Sequence, residues 1–217
     1  MTGSVVCLAT GSYLEEWKDC IETQQRYCET FGYDYHLLDK DISALHPKWQ
    51  KFERSEALLR EGRHVLLIDA DAAILPAAPP FESVLEENPF HDIFAVLGRS
   101  KRPNSGVIIF RSGETSVAAD FLHRCISRRN RGVPKEDFVT REGENGHFIH
   151  YLKKPPYAER FLALPTQWNN TLPPVRAGDF VTHYASGPMR RLRMKNKAAP
   201  AITAAEPAPT PEPAPEA

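Results

Sequence analysis

Along this chain, apolar and polar residues fall in short blocks that switch between the spacing of a buried strand and that of a helix. Residues 4–10 (SVVCLAT) form an apolar run of strand length, and Gly11-Ser12-Tyr13 reads as a loop at its carboxyl end. Leu14, Trp17, Ile21, Cys28 and Phe31 then recur at helical spacing, with Glu15, Glu16, Lys18, Asp19 and Glu22 on the opposite face and Gly32 as the stop. Residues 33–38 resume as a strand. This opening β-α-β unit predicts a parallel sheet with a right-handed crossover. A second helix is expected over residues 49–61, ended by Gly62, and then comes the most informative stretch, residues 64–75 (HVLLIDADAAIL). Within it, residues 65–69 read as a buried parallel strand that stops abruptly at acid, and Pro76, Pro79 and Pro80 forbid its continuation.

The remaining pattern predicts a short helix after Phe81, strands at 92–97 and 106–110, and a long helix on Val117, Ala118, Phe121, Leu122, Cys125 and Ile126. The turn Arg102-Pro103-Asn104-Ser105 precedes the second of these strands. The long helix ends in Arg124, Arg128, Arg129 and Arg131, which read as a solvated face complementing the helix dipole. A further helix begins near Gly143 or Glu144 and carries Phe148, Ile149, Tyr151 and Leu152, followed by short strands at 161–164 and 180–183. The expected class is α/β, with a mostly parallel central sheet flanked by helices. One domain is expected over residues 1–197. Residues 198–217 are Ala, Pro, Glu and Thr with almost nothing to bury, and are expected to be a disordered tail.

Composition changes this picture little. Lys and Arg total 27 against 28 Asp and Glu, so nothing points to a nucleic-acid partner. Cys7, Cys20, Cys28 and Cys125 include no Cys-x-x-Cys pair and read as reduced, buried thiols. No basic region followed by a long apolar stretch opens the chain, and no segment is long enough to span a bilayer, so the expected location is cytoplasmic. Without a secretory signal, the acceptor motif Asn169-Asn170-Thr171 is read as accidental.

The chemistry is placed at Asp69 and Asp71. Carboxylates at a strand's carboxyl end lie where open α/β sheets bind ligands, and two so close repel unless a cation, a base or a proton relieves them. Hard oxygens suit Mg²⁺ or Mn²⁺. The structural alternative is a turn in which Asp69 caps and Asp71 is solvated. His183, after the apolar Phe180-Val181-Thr182, is the candidate third ligand or else a hydrogen-bonded structural histidine. Lys51, or its neighbour Lys48, is placed to reach the same ligand. The run Arg190, Arg191, Arg193, Lys195 and Lys197, after a flexible Gly187-Pro188 turn, is either a diphosphate clamp or a basic tail. Asn104-Ser105-Gly106 suits sugar hydroxyls where backbone must come close, or is an ordinary turn, and Glu144-Asn145 is a site pair or only a helix cap.

Taken in order, these features resemble the metal-dependent nucleotide-sugar glycosyltransferases of the GT-A fold, in particular the glycogenin-like and the galactosyl/mannosyl-transferase (plant xylosyltransferase-like) branches. The carriers are residues 7–11 (CLATG), 48–52 (KWQKF), Asp69-Ala70-Asp71 after LLI, 104–111 (NSGVIIFR), Leu164-Pro165 with Trp168-Asn169, and His183 with Gly187. The resemblance covers roughly residues 4–190. It implies transfer of a hexose or pentose from a nucleoside diphosphate sugar, UDP-sugar favoured, to a glycan or other hydroxyl acceptor, with retention of configuration. Position by position, it implies that Ala9, Thr10, Gly11 and Tyr13 border base and ribose, and that Asp69, Asp71 and His183 hold Mn²⁺ or Mg²⁺. Ala70 belongs to the same donor site, Lys51 contacts the donor, and Asn104, Ser105 and Gly106 line the sugar and acceptor pocket. Gly187 and Arg190 face the diphosphate, with Arg190 where a lysine is usual. Glu144 and Asn145 stand where such enzymes present an acid-plus-amide pair, here Glu-Asn instead of the commoner Asp-Gln. Two rivals are a haloacid-dehalogenase-type phosphotransferase or phosphatase, which lacks its expected Thr or Val at Ala73, and a catalytically silent nucleotide-sugar-binding module.

Overall fold

The computed structural model describes residues 3–139 and 143–198, the last three of these by backbone alone. The expected tail therefore lies outside the described residues, except for Ala198, which ends the last helix. Six strands form one sheet in the order β2-β1-β3-β6-β5-β7: β1 (Ser4–Leu8), β2 (Asp34–Leu38), β3 (Val65–Asp69), β5 (Ile93–Leu97), β6 (Pro103–Phe110) and β7 (Phe161–Leu164). Residues of opposite parity on each central strand face opposite cores, as the two-residue pleat demands. Val5, Cys7, Leu66, Ile68, Val107 and Ile109 join the core under α2 (Lys18–Phe31), and Val6, Val65, Leu67, Ile108 and Phe110 join the core under α3 (Pro47–Arg60) and α5 (Ala118–Ser127).

The sheet is mostly parallel, at β1–β2, β1–β3 and β5–β7, but β6 runs antiparallel to both neighbours. The reason is connection length. Only residues 98–102 join β5 to β6, too few for a parallel crossover, which needs a dozen or more. The predicted turn before residue 106 is accordingly absorbed into the strand, which begins at Pro103.

Three further expectations are corrected. The first helix is two, α1 (Ser12–Glu16) and α2, broken at buried Trp17; α2 ends at Gly32, whose φ of 72° is a left-handed cap that a side chain would strain. The apolar run after Asp71 does not simply stop but forms β4 (Ala72–Ile74), paired antiparallel with β8 (Val181–His183) in a second, two-stranded sheet. Gly187-Pro188 is not a flexible turn. It opens α7 (Gly187–Ala198), which docks through buried Met189 and through Arg193, whose guanidinium lies 4.1 Å from the Trp17 ring and pairs with Asp19. The helices α4 (Glu82–Glu87) and α6 (Asn145–Leu152) complete the fold. No helix among the described residues is long and apolar enough to cross a membrane.

Candidate active site

Strand register assembles the site. Leu8, at the end of β1, pairs with Asp69 at the end of β3, so the loop after β1 lies beside the acidic turn. Because β6 is antiparallel to β3, with Val107 opposite Ile68, the start of β6 rather than its end meets Asp69. That puts Asn104, Ser105 and Gly106 at the same sheet edge. The β4–β8 pair sets Ala72 opposite His183, which delivers the imidazole to Asp71. A cleft of about 630 Å³ opens there, within the range typical of small-molecule sites.

Asp69, Asp71 and His183 each present a ligand atom, all within 4.8 Å of one another. The His183 ring is 2% exposed; its Nε2 lies 3.0 Å from Asp71 Oδ1 and 3.9 Å from Asp69 Oδ2. Its tautomer follows from a chain anchored on a backbone donor. The Gly106 N–H donates to Asn104 Oδ1 (2.9 Å), so that oxygen is an acceptor and Asn169 Nδ2 must donate to it (3.0 Å). Asn169 Oδ1 is then the acceptor for His183 Nδ1–H (2.9 Å), so Nε2, which faces Asp71, is the nitrogen that would ligate a metal ion on releasing its proton. Gly106 is required by proximity: a Cβ there would lie 2.1 Å from His183 Cε1. The donor set of two carboxylates and an imidazole whose Nδ1 is held by Asn169 fits a divalent cation.

The pKa values of the two aspartates shift in opposite directions. Burial opposes ionisation of Asp71, but the hydrogen bond and charge of His183, with Arg190 Nη2 at 3.7 Å, hold its carboxyl below the ordinary range. Burial and the neighbouring carboxylates push Asp69 up against Lys51 and His183. Because 31% of the Asp69 side chain is open to the cleft, solvent softens that push.

Lys51 is in the cleft wall, but its ammonium is already engaged. Nζ donates to Asp69 Oδ1 (2.6 Å) and lies 2.9 Å from Glu144 Oε1, which also accepts from Ser105 Oγ at 2.9 Å. Burial works against the charge on Lys51, but the two carboxylates raise its pKa overall, and Lys51 in turn draws Glu144 below the usual carboxylate range despite burial. Glu144 sits at the N-cap position of α6 yet makes no capping bond; its side chain is spent on Lys51 instead. Beside it, Asn145 lines the cleft, and its buried Oδ1 has no hydrogen-bond partner among the described residues. Lys48, the competitor of Lys51, is exposed at the rim.

Of the other expected residues, Thr10, Tyr13, Ala70, Asn104, Ser105, Gly106 and Arg190 line the cleft. Ala9, Gly11 and Gly187 do not: Ala9 packs in the core, Gly11 precedes α1 and Gly187 starts α7. The basic run does not fold over the cleft as a unit, since Arg193 turns to Trp17 and Asp19. Two contributors escaped the sequence reading. Asn169 orients His183, and Gln24 Nε2 donates to the carbonyls of Asp69 (3.0 Å) and Ala72 (2.7 Å), clamping the acidic turn from α2 while its Oε1 accepts from Tyr35. The signal for Gln24 was a polar residue on the apolar stripe between Cys20 and Cys28. The Asn169 side chain is itself buried and bonded to Asn104.

No protein-family model matches the sequence, and no curated protein does. Solved structures do. A glycosyltransferase involved in glycosylation of the major capsid of PBCV-1 superposes with a TM-score of 0.64, covering 90% of this chain and 100% of its own at 16% identity. This chain has the GT-A glycosyltransferase fold. Mouse xyloside xylosyltransferase 1 (TM-score 0.54, 10% identity, 87% of this chain and 99% of its own) shares that fold. So does galactosyltransferase LgtC, solved with donor and acceptor sugar analogues (0.52, 11%, 94% and 98%). Within the GT-A frame, Asp69-Ala70-Asp71 occupies the end of a central strand, where the sheet meets the cleft.

Proposed function

We propose that this GT-A protein is a metal-dependent glycosyltransferase that moves a hexose or pentose from a nucleoside diphosphate sugar, most readily a UDP-sugar, to a hydroxyl acceptor. The carrying observation is the convergence on one cleft of Asp69 and Asp71, on either side of the turn after β3, with His183 at the end of β8. Mn²⁺ or Mg²⁺ held by these three supplies counter-charge for a departing diphosphate. Arg190, at the cleft edge beside Asp71, adds a cation for the same phosphates. Lys51 keeps Asp69 and Glu144 in register, Tyr13 and Thr10 border the nucleotide, and Asn104, Ser105 and Asn145 offer partners to the sugar.

Retention of configuration is the reading the acid supports. A general base works best with a pKa near the operating pH, and Glu144, ion-paired to Lys51 and held low, is a poor one. The four unpaired, buried thiols support a reducing, cytoplasmic setting. Thermal shift with UDP-, GDP- and dTDP-sugars, with and without Mn²⁺, tests the reading. A metal-dependent rise with one nucleotide, lost in Asp71→Asn together with transfer, is the expected result. Full transfer by Asp71→Asn in excess chelator refutes it.

A further inference from the structure

A second cavity, of about 410 Å³, adjoins the cleft and shares His46 and Gly143 with it. It opens at Gly143, next in the chain to Glu144, and is walled by Trp49, Arg129, Asn130 and His147. Its polarity is the reverse of the cleft's. Asp69, Asp71 and Glu144 line the first space, whereas no carboxylate among the described residues lines the second.

Arg129 is the cation here, and it is held in place. Its Nη1 donates to the Ile126 carbonyl (3.0 Å), and His147 Nε2 lies 3.2 Å and 2.9 Å from the carbonyls of Arg128 and Arg131, tying down the turn on either side. His147 is itself more than nine-tenths buried, and burial lowers its pKa, so it stays a neutral strut. Arg129 makes no ion pair among the described residues. Of the arginines that end α5, it alone lines the cavity; Arg124 instead lies over Tyr151. A fixed arginine without a counter-ion among the described residues, lining a sugar-sized space, is a recognition element for a planar or tetrahedral anion.

Resting on the glycosyltransferase reading above, we propose that this cavity is the acceptor subsite and that the acceptor is an anionic glycoside, carrying a carboxylate or a phosphate that Arg129 binds. Arg129 would offset the repulsion between such an acceptor and the donor's diphosphate.

The test uses the full chain saturated with Mn²⁺ and UDP, and measures affinities by titration for methyl glucuronide, glucose 6-phosphate and methyl glucoside. At least one anionic sugar binds about tenfold or more tighter than the neutral one. Which of the two does so identifies carboxylate or phosphate. Arg129→Gln removes the preference, and Arg128→Gln, outside the cavity, keeps it. Equal binding of all three sugars, no binding of any, a preference that survives Arg129→Gln, or one lost equally in Arg128→Gln overturns the proposal. Failure of Mn²⁺ and UDP to bind overturns the glycosyltransferase reading instead. The sugar titration is then run without nucleotide, where the same criteria decide the anion site.

Discussion

Replacing Lys51 by methionine tests how the buried charges of the cleft are balanced. The ammonium is the shared partner of Asp69 and Glu144, and the Lys51 and Glu144 side chains are 4% and 7% exposed. Methionine keeps the stem's volume and removes the charge. Glu144 is then a buried carboxylate beside a second one, left with the Ser105 hydroxyl and its own backbone N–H as donors among the described residues. Removing one partner of a buried pair costs about 3–5 kcal/mol. At about 2–4 °C per kcal/mol for a chain of this size, even the lower figure is a fall of about 6–12 °C in Tm. The pH dependence gives the sign. In the native protein the Glu144 carboxyl is held below its unfolded value, so its stabilisation is present above about pH 4.3 and is lost as pH falls through the folded value. In Lys51→Met the folded value rises above the unfolded one, so the penalty is full at pH 8 and shrinks toward pH 4.5. Adding Glu144→Gln recovers much of the loss at pH 8. Urea unfolding of both variants at pH 8 and pH 5 is the assay. A cost for Lys51→Met below about 1 kcal/mol, equal at both pH values, refutes the view that this ion pair is buried and mutually dependent.

Other outcomes follow from the same geometry. Asn169→Ala frees the His183 ring and weakens Mn²⁺ binding by about 10- to 100-fold, read by electron paramagnetic resonance of free Mn²⁺, whereas loss of protein stability without a change in Mn²⁺ affinity contradicts the orienting role. In Gly106→Ala the added methyl collides with His183, so Mn²⁺ affinity falls while the helical circular dichroism is kept; unchanged affinity removes the argument for close approach. Lys153 and His150 bond Asp137 and outweigh its burial, lowering its pKa; stability gained from it is therefore present above the unfolded value of about 3.9 and disappears below it. Asp137→Asn should flatten that acid limb in urea unfolding, and an identical limb in the variant counts against the pair. Cys7 and Cys28 have pKa values pushed up to about 12, chiefly by burial, so neither thiol labels with iodoacetamide at pH 8 until the chain unfolds.

The sequence by itself determined what each segment is and which of its faces is buried. The strand ending at Asp69 was legible to the residue, and the stop at Gly32 came from a left-handed cap that favours glycine. Both are local: they depend on side-chain period and on one backbone angle. Candidate ligands were legible as residue types placed at strand ends. What only the tertiary structure decided is which ends meet. The short β5–β6 connection reversed β6 and carried Asn104 to Gly106 to the acidic turn. The β4–β8 pair joined Asp71 to a histidine 112 residues away. Lys51 was placed near the ligand by its helix and by resemblance, and only the tertiary structure paired its ammonium with Asp69 and Glu144. Asn169 stayed hidden because its role is a hydrogen bond to another side chain's orientation, and spacing along a chain carries no record of such a bond.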